Sequence, residues 1–483
     1  MKIVELSLTV SYILICIIIG IWASRKVSSS SDDYWVAGRK IGTFANSWAL
    51  MAALGSGGSI LGVNGLAYNA GVPYVFAMYA GAVVGFPFAA ILVAEHLRDL
   101  KVRTVPEYLN IRYNNKALSI VVPLIIMVAM EVYIVAQLKA AGITVVYLLG
   151  LPYHYAVIIT AIVFTLYVSI GGMWAITLTD VLQGILMFAV VILLSLVVFA
   201  SFGGVTLLLG KATAASPAFG HLKEMSFISY AGAFVVWLIA GCTVPHLVMR
   251  VFTARDSYSA KLSLNYSMVF YAILTVVGVL AVASAGHVLF PNLKDADTVF
   301  LRVMEYFLPN TIMRGIAVAA VMAAVMSTTD ALILAVSSAA VNDIYKKHIK
   351  KNATDREVVR MGLIVTWIAG VLAIYFALNP PKLLTMLYTA AVGLLGSSLL
   401  APILLGIWWR KATPRAALLS CLSGGISYCY LLWFTKMPPL SHVLVAIPIS
   451  FVVLFVASNF TAPTDPKIME LVSKIHERGE IAD

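Results

Sequence analysis

The chain has 483 residues, of which 61% are hydrophobic and only 11% are charged, and its mean hydropathy is +0.95. In soluble domains about a quarter of the residues are charged, so the composition excludes an ordinary soluble fold and predicts a protein whose surface faces lipid. The net charge of +11 could indicate a nucleic-acid partner. The basic residues are instead concentrated in the loops on one side of the predicted membrane spans, so no nucleic-acid partner is expected.

Thirteen apolar segments follow one another along the chain, and most are long enough to cross about 30 Å of hydrocarbon. They predict an all-α integral membrane protein with thirteen transmembrane helices. The segments are 5–24, 42–69, 71–96, 117–149, 153–170, 173–202, 227–252, 263–288, 311–345, 358–377, 383–408, 414–435 and 440–459.

The loop charges predict the orientation. An outside N-terminus places roughly three times as many lysines and arginines in cytoplasmic loops as in external loops, which is the positive-inside bias. The first segment ends at Arg25-Lys26 rather than at a small-residue cleavage site, so we expect a retained helix. We therefore expect a multi-pass plasma-membrane protein with one domain over 1–460 and a short cytoplasmic tail over 461–483.

The sequence contains no pattern typical of an enzyme. It has no Walker A loop, HExxH or GxSxG motif, so neither an ATP-driven pump nor a hydrolase is expected, and no cofactor is implied. The cysteines all lie in apolar segments and suggest neither a disulfide framework nor a metal cluster. They are Cys16, Cys242, Cys421 and Cys429.

Two segments contain helix-breaking residues. The second has a glycine-serine run over 55–59, and the seventh has Pro245, which lacks a backbone donor. Because these segments are five apart, each can open a five-helix unit of opposite orientation, over approximately 42–202 and 227–408. Broken helices at matching positions of inverted repeats indicate the central site of a transporter, although glycine and proline are also frequent in membrane helices generally.

The ninth segment carries polar side chains where an apolar helix is expected. Ser327 and Thr328 offer hydroxyls, and the Ala324 carbonyl lies one turn earlier. Unwound backbone near Ala52 and Gly55 in the second segment could add carbonyl oxygens. Oxygen ligands suit a hard cation, so these residues predict a sodium site, although a single mid-helix hydroxyl can also simply bond its own helix.

Two carboxylates lie within apolar segments, where an ionisable group is a functional-site hypothesis by default. Asp180 is expected on an ion pathway, with a helix N-terminal charge favoured by the dipole as the alternative. Asp330 lies three residues after Ser327 and therefore on the same helical face. It could contact the same cation or a second one, or it could be protonated and hydrogen-bonded within the bundle.

Three residues are candidates for substrate contact. Gln137 in the fourth segment is expected to line a cavity, His246 directly follows the break at Pro245, and Trp237 could pack over a substrate. The alternatives are a structural histidine and an aromatic side chain that serves packing or the membrane interface.

Several motifs together resemble the sodium:solute symporter family over roughly residues 12–409. The pantothenate carriers of that family are most similar, and monocarboxylate and proline carriers are also similar around Pro245-His246. The motifs are Asp33–Arg39 (DYWVAGR), Thr104–Tyr108 (TVPEY), Gly171–Gln183, Pro245-His246 with Arg250, and Ala323–Asp343.

The resemblance implies a LeuT-type fold, a five-plus-five inverted repeat with one extra N-terminal and two extra C-terminal helices. It also implies sodium between the second and ninth segments. By position, the ligands would be the carbonyls of Ala52, Gly55 and Ala324 and the hydroxyls of Ser327 and Thr328.

The resemblance also bears on the carboxylates. Asp180 matches the family's aspartate on the sodium release path or at a second sodium site. Asp330 stands where some members have a serine for a second sodium, and Leu54 stands where proline carriers have an aspartate. Sodium stoichiometry and a proton role are therefore open.

The sequence thus predicts a secondary active transporter that couples inward sodium flow to uptake of a small carboxylate, either a monocarboxylate or pantothenate. A sodium symporter of proline or another amino acid is the alternative. A proton-coupled carrier, or a nutrient sensor or channel on the same scaffold, is the alternative class. The expected partners are the solute, sodium and the lipid bilayer, and the oligomeric state is open.

Overall fold

The computed structural model describes most of the chain, and its described residues are 2–25, 31–169, 172–216, 219, 225–381 and 383–476. Ile170, Gly171 and residues 477–483 of the predicted tail lie outside them. Apart from one bridge between Ile41 and Ala254, these described residues contain no β-structure. The predicted all-α class is confirmed.

The helices are numbered here in chain order. The first half of the chain forms α1 Ile3–Ser24, α2 Ser31–Val36, α3 Thr43–Leu54, α4 Gly58–Ala70, α5 Val72–Asp99, α6 Val105–Tyr113, α7 Leu118–Leu149, α8 Tyr153–Val168, α9 Gly172–Phe202 and α10 Val205–Ala215. The second half forms α11 Phe227–Leu238, α12 Pro245–Thr253, α13 Ser257–Leu289, α14 Val299–Phe307, α15 Thr311–Ile349, α16 Asp355–Ala377, α17 Leu384–Trp408, α18 Pro414–Phe434, α19 Val443–Ser458 and α20 Pro466–His476.

Each of the thirteen predicted segments is helical, but a count of thirteen spans is not confirmed. Within the described residues, ten helical spans are long and apolar enough to cross a membrane, with Phe227–Thr253 (α11 through α12) counted as one of them. The number is eleven if α3 and α4 also form one bent span. The helices α8 and α19 have only 16 residues each. A helix of that length extends about 24 Å, which is shorter than the ~30 Å hydrocarbon core.

Helix α15 lies at the centre of the bundle. Its most apolar stretch is 94% buried, whereas that of α1 is only 28% buried. Between Gly315 and Ser338 the helix is rich in alanine and serine, and these small residues let neighbouring backbones approach closely. Helices α1, α3, α7 and α9 all pack against it, so polar groups on α15 are held inside protein rather than in lipid.

The predicted break in the second segment is confirmed. The chain bends by 57° between α3 and α4, and Ser59 bridges the bend by donating its hydroxyl to the Leu54 carbonyl (2.9 Å). Glycine is required here for packing. A Cβ at Gly57 would lie 2.6 Å from Val325, and one at Gly58 would lie 2.5 Å from the Tyr388 ring.

The predicted break in the seventh segment is also confirmed. Val244 is extended (φ −81°, ψ 113°) between a short helical turn, Ala240–Thr243, and α12. Pro245 is the first residue of α12, a position where its missing N–H costs no helical hydrogen bond.

Candidate functional site

The α3–α4 break faces the middle of α15, and hydroxyl and carbonyl oxygens converge there. The Ser327 hydroxyl is 2.9 Å from the Ala52 carbonyl and 3.2 Å from the Ala324 carbonyl. The Thr328 hydroxyl is 3.1 Å from the Ala53 carbonyl and 3.3 Å from the Ala324 carbonyl. These hydroxyls and carbonyls, called the oxygen cluster below, are all buried and uncharged.

Four of the five residues predicted to bind sodium are therefore brought together. Ala53 joins them, because the last turn of α3 presents two successive carbonyls toward α15. Gly55, the fifth predicted residue, ends that turn with its N–H bonded to the Met51 carbonyl (2.7 Å). Its position is tightly packed, since a Cβ there would lie 2.6 Å from the Met187 sulfur.

A second polar region, the charged cluster, lies next to the oxygen cluster. Asp180 forms a fully buried ion pair with Arg250 of α12. The Arg250 guanidinium also donates to the Thr177 hydroxyl (2.9 Å), which lies one turn before Asp180 on α9. The second oxygen of the Asp180 carboxylate has no hydrogen-bond partner among the described residues.

Asp330 is the other carboxylate of the charged cluster. It is completely buried, and its nearest charged neighbours are Asp180 and Arg250. Neither of its carboxylate oxygens has a hydrogen bond of normal geometry to another described residue. The cluster therefore holds two carboxylates and one guanidinium, an imbalance of one negative charge that a bound cation or a proton would neutralise.

Aromatic side chains surround the other side of the break. Tyr133 of α7 stacks on Tyr388 of α17, with ring centroids 5.5 Å apart, and Trp237 meets Tyr388 edge-on at 5.9 Å. His246 meets Tyr133 edge-on at 5.5 Å. Gln137 accepts the backbone N–H of Gly57 (3.1 Å), which fixes its amide beside these rings.

This aromatic cluster contains several buried polar atoms without partners. They are the Gln137 amide nitrogen, the Trp237 indole nitrogen, His246 Nδ1 and the Tyr388 hydroxyl, none of which is hydrogen-bonded to a described residue. An unpaired buried donor is costly unless a ligand or water satisfies it. The three residues predicted to contact substrate thus lie together, and their free donors suit an anionic or carbonyl group.

Sequence reasoning did not assign a site role to Tyr133, Tyr388 or Arg250. Tyr133 lies four residues before Gln137 and therefore on the same face of α7, a spacing that could have identified it. Arg250 lies four residues after His246 on α12, which is the same spacing, whereas Tyr388 carries no comparable signal. Each reaches its partners only because distant helices pack together.

Comparisons with known proteins agree over nearly the whole chain. The sequence model of the sodium:solute symporter family matches residues 34–424. The osmoregulated proline transporter OpuE of Bacillus subtilis (strain 168) is 27% identical over 439 residues, which cover 88% of this chain and 87% of that protein. A sodium/proline symporter of Staphylococcus aureus (strain JH9) is 26% identical over 446 residues, covering 89% and 86% of the two chains.

The fold also matches a solved structure. A Na⁺-coupled sialic acid symporter, in a substrate-bound outward-open state, superposes with a TM-score of 0.82 at 17% identity. The match covers 96% of this chain and 99% of that one. At this identity the likeness establishes the fold alone.

Proposed function

Because the chain belongs to the sodium:solute symporter family, a family of membrane transporters, we propose that it couples inward sodium flow to uptake of proline or a similarly small amino acid. The observation that carries the proposal is the meeting of an oxygen cluster and unpartnered donors at one helix break. The relatives named as proline transporters favour this substrate class. They give no support to the monocarboxylate or pantothenate that the sequence first suggested.

Sodium would bind at the oxygen cluster. The hydroxyls of Ser327 and Thr328 would turn their lone pairs toward the ion, which would join α15 to the end of α3. One sodium that enters down a tenfold gradient and about 100 mV releases roughly 1.4 and 2.3 kcal/mol respectively. That total is enough for several-hundred-fold accumulation of a neutral solute.

The amino acid would bind in the aromatic cluster. Its carboxylate would accept hydrogen bonds from the Gln137 amide and the Trp237 indole, helped by the N-terminal end of α4 at the break. The faces of Tyr133 and Tyr388 would cover an apolar ring and attract the ammonium group. The adjoining oxygen cluster would let sodium and substrate stabilise the same arrangement of the break.

A second cation would bind at the charged cluster. The unbalanced negative charge of Asp180 and Asp330 supports either a second sodium or a proton, and both alternatives leave Arg250 paired.

We also propose that 42–202 and 227–408 form the two inverted repeats, in a plasma-membrane protein with an outside N-terminus. The two confirmed breaks, five segments apart, support that assignment.

The test is uptake of radiolabelled solutes into proteoliposomes that contain the purified protein. Proline, alanine, acetate, pyruvate and pantothenate would be compared with and without an inward sodium gradient. We expect accumulation of an amino acid only with sodium, and competition by unlabelled proline. Accumulation of a monocarboxylate or pantothenate instead would overturn the substrate assignment.

The matched variants are Thr328→Ala and Thr328→Ser. The serine variant keeps the hydroxyl and is expected to retain sodium-driven uptake at moderate sodium concentration, whereas the alanine variant loses most of that uptake and needs a higher sodium concentration to recover it. Uptake that follows a proton gradient and ignores sodium in both variants would contradict sodium coupling at the oxygen cluster.

A further inference from the structure

A large apolar cavity lies on the lipid-facing side of the bundle, away from the helix breaks. Its volume is about 600 Å³, within the range of small-molecule sites. Val132 of α7, Val336 of α15, and Ala369 and Phe376 of α16 are among its lining residues. Several lining residues, such as Val128 (58% exposed) and Ile368 (60% exposed), lie on the protein surface, so the cavity is accessible from the bilayer.

One ionisable residue lines this apolar cavity. Glu131 is only 8% exposed, and one of its carboxylate oxygens has no hydrogen-bond partner among the described residues. No described lysine or arginine forms an ion pair with it. Lys139, eight residues further along α7 and about 12 Å away, is bound to Asp297 (2.9 Å) and to the Pro381 carbonyl (3.1 Å).

A carboxylate in hydrocarbon is costly unless it meets a counter-charge. The negative charge of Glu131 favours a cationic ligand, and the apolar walls of the cavity favour a ligand with a hydrocarbon chain. We propose that this cavity is a binding site for a lipophilic ammonium ion, a protonated long-chain amine that enters from the bilayer. Its ammonium pairs with Glu131 and its chain lies against Val132, Val336 and Ala369.

The depth of Glu131 distinguishes this ligand from a bilayer phospholipid. Glu131 is the fourteenth residue of the 32-residue helix α7, which places it roughly 20 Å along an axis of about 48 Å. A phospholipid ammonium stays in the headgroup region, about 15 Å from the bilayer centre. A single-chain amine crosses hydrocarbon in its neutral form, so it can reach the depth of Glu131 and take the proton of the carboxyl group there, which leaves an ammonium–carboxylate pair.

An occupant of the cavity would also contact the helix that carries the oxygen cluster. Val336 belongs to α15 and lies nine residues after Ser327, so an occupant packs directly against the helix that carries the oxygen cluster. The site itself does not rest on the proposed transport function, because its ligand and its residues are separate from those of the helix breaks.

The test uses photolabelling of the full-length protein in nanodiscs. The probe is dodecylamine with a diazirine in its chain, and the control probe is the matching alcohol; labelled peptides are mapped by mass spectrometry. We expect the amine to label 127–135 of α7 and 365–376 of α16, with competition by unlabelled dodecylamine. Equal labelling by amine and alcohol would overturn the proposal and indicate that the cavity accepts only alkyl chains.

Two variants sharpen the test. Glu131→Gln keeps the shape but removes the charge, so it should reduce amine labelling about tenfold or more and leave alcohol labelling unchanged. Ala369→Phe fills the cavity and should reduce labelling by both probes, whereas Val371→Phe, at a 64% exposed position on the same helix, should not. Amine labelling that is unaffected by Glu131→Gln or by Ala369→Phe would exclude the site.

Discussion

Two polar regions lie three residues apart on α15, and they differ in charge. The oxygen cluster contains only hydroxyls and carbonyls, which satisfy one another at 2.9–3.3 Å. The charged cluster contains Asp180, Asp330 and Arg250. Three of its four carboxylate oxygens, both on Asp330 and one on Asp180, have no hydrogen bond of normal geometry to a described residue. The proposed sodium ion can leave the first cluster at little cost, whereas the second cluster keeps an unbalanced charge when no cation is bound.

This difference predicts that removing a charge has larger consequences than removing a hydroxyl. In a buried site the loss of one partner of an ion pair leaves an uncompensated charge, while the loss of a hydroxyl removes a single neutral ligand or hydrogen bond. Four variants test this order, from the largest expected effect to the smallest.

Arg250→Met should be the most damaging change, because it leaves Asp180 and Asp330 without a counter-charge. We expect a loss of about 3–5 kcal/mol in the free energy of unfolding, measured by denaturation of the detergent-purified protein. Adding Asp180→Asn to this variant should restore part of the loss. If the double variant is no more stable than Arg250→Met, the loss does not come from an uncompensated charge on Asp180.

Asp330→Asn should have an effect of opposite sign on the ion-free protein. Removal of the unpaired carboxylate leaves Asp180 and Arg250 as a neutral pair, and should stabilise the ion-free protein by about 1–3 kcal/mol.

The same variant should also change coupling. The charge moved per substrate, measured as current against radiolabelled flux in proteoliposomes, should fall by one. An unchanged ratio would mean that Asp330 carries no transported cation or proton.

Thr328→Ala should raise the sodium concentration for half-maximal uptake by about tenfold, which corresponds to ~1.4 kcal/mol for one lost oxygen ligand. Sodium titration of uptake measures this shift, with Thr328→Ser as the control that keeps the hydroxyl. The charge moved per substrate should stay constant. A fall in that ratio would mean that the two clusters bind a single ion together.

Much of this arrangement is predictable from sequence because its signals are local. The glycine-serine run over 55–59 and Pro245 predict both breaks, and the adjacent hydroxyls of Ser327 and Thr328 predict a polar point on α15. Each signal depends on residues that are neighbours in the chain, so helix rotation and packing are not needed to recognise it.

The partners are not predictable in the same way. Asp180 and Arg250 are 70 residues apart, and their pairing depends on how α9 and α12 pack. Tyr388 joins the aromatic cluster through the packing of α17 against the break, where Gly58 leaves room for its ring. The number of spans also stays unconfirmed, because α8 and α19 are apolar but short.

Tyr388→Phe should have the smallest effect, and it separates substrate binding from stability. The Tyr388 hydroxyl lacks a hydrogen bond of normal geometry, and the nearby Thr385 hydroxyl is already bonded to the Gly62 carbonyl (2.8 Å). Its removal should therefore leave the free energy of unfolding unchanged. If the hydroxyl contacts the substrate, the KM for the transported amino acid should rise about fivefold, which corresponds to the loss of one ordinary hydrogen bond. The sodium concentration for half-maximal uptake, measured at saturating substrate, should not change. An unchanged KM would place the substrate outside the aromatic cluster, because a substrate bound there would be expected to form a hydrogen bond with the unpartnered hydroxyl at its centre.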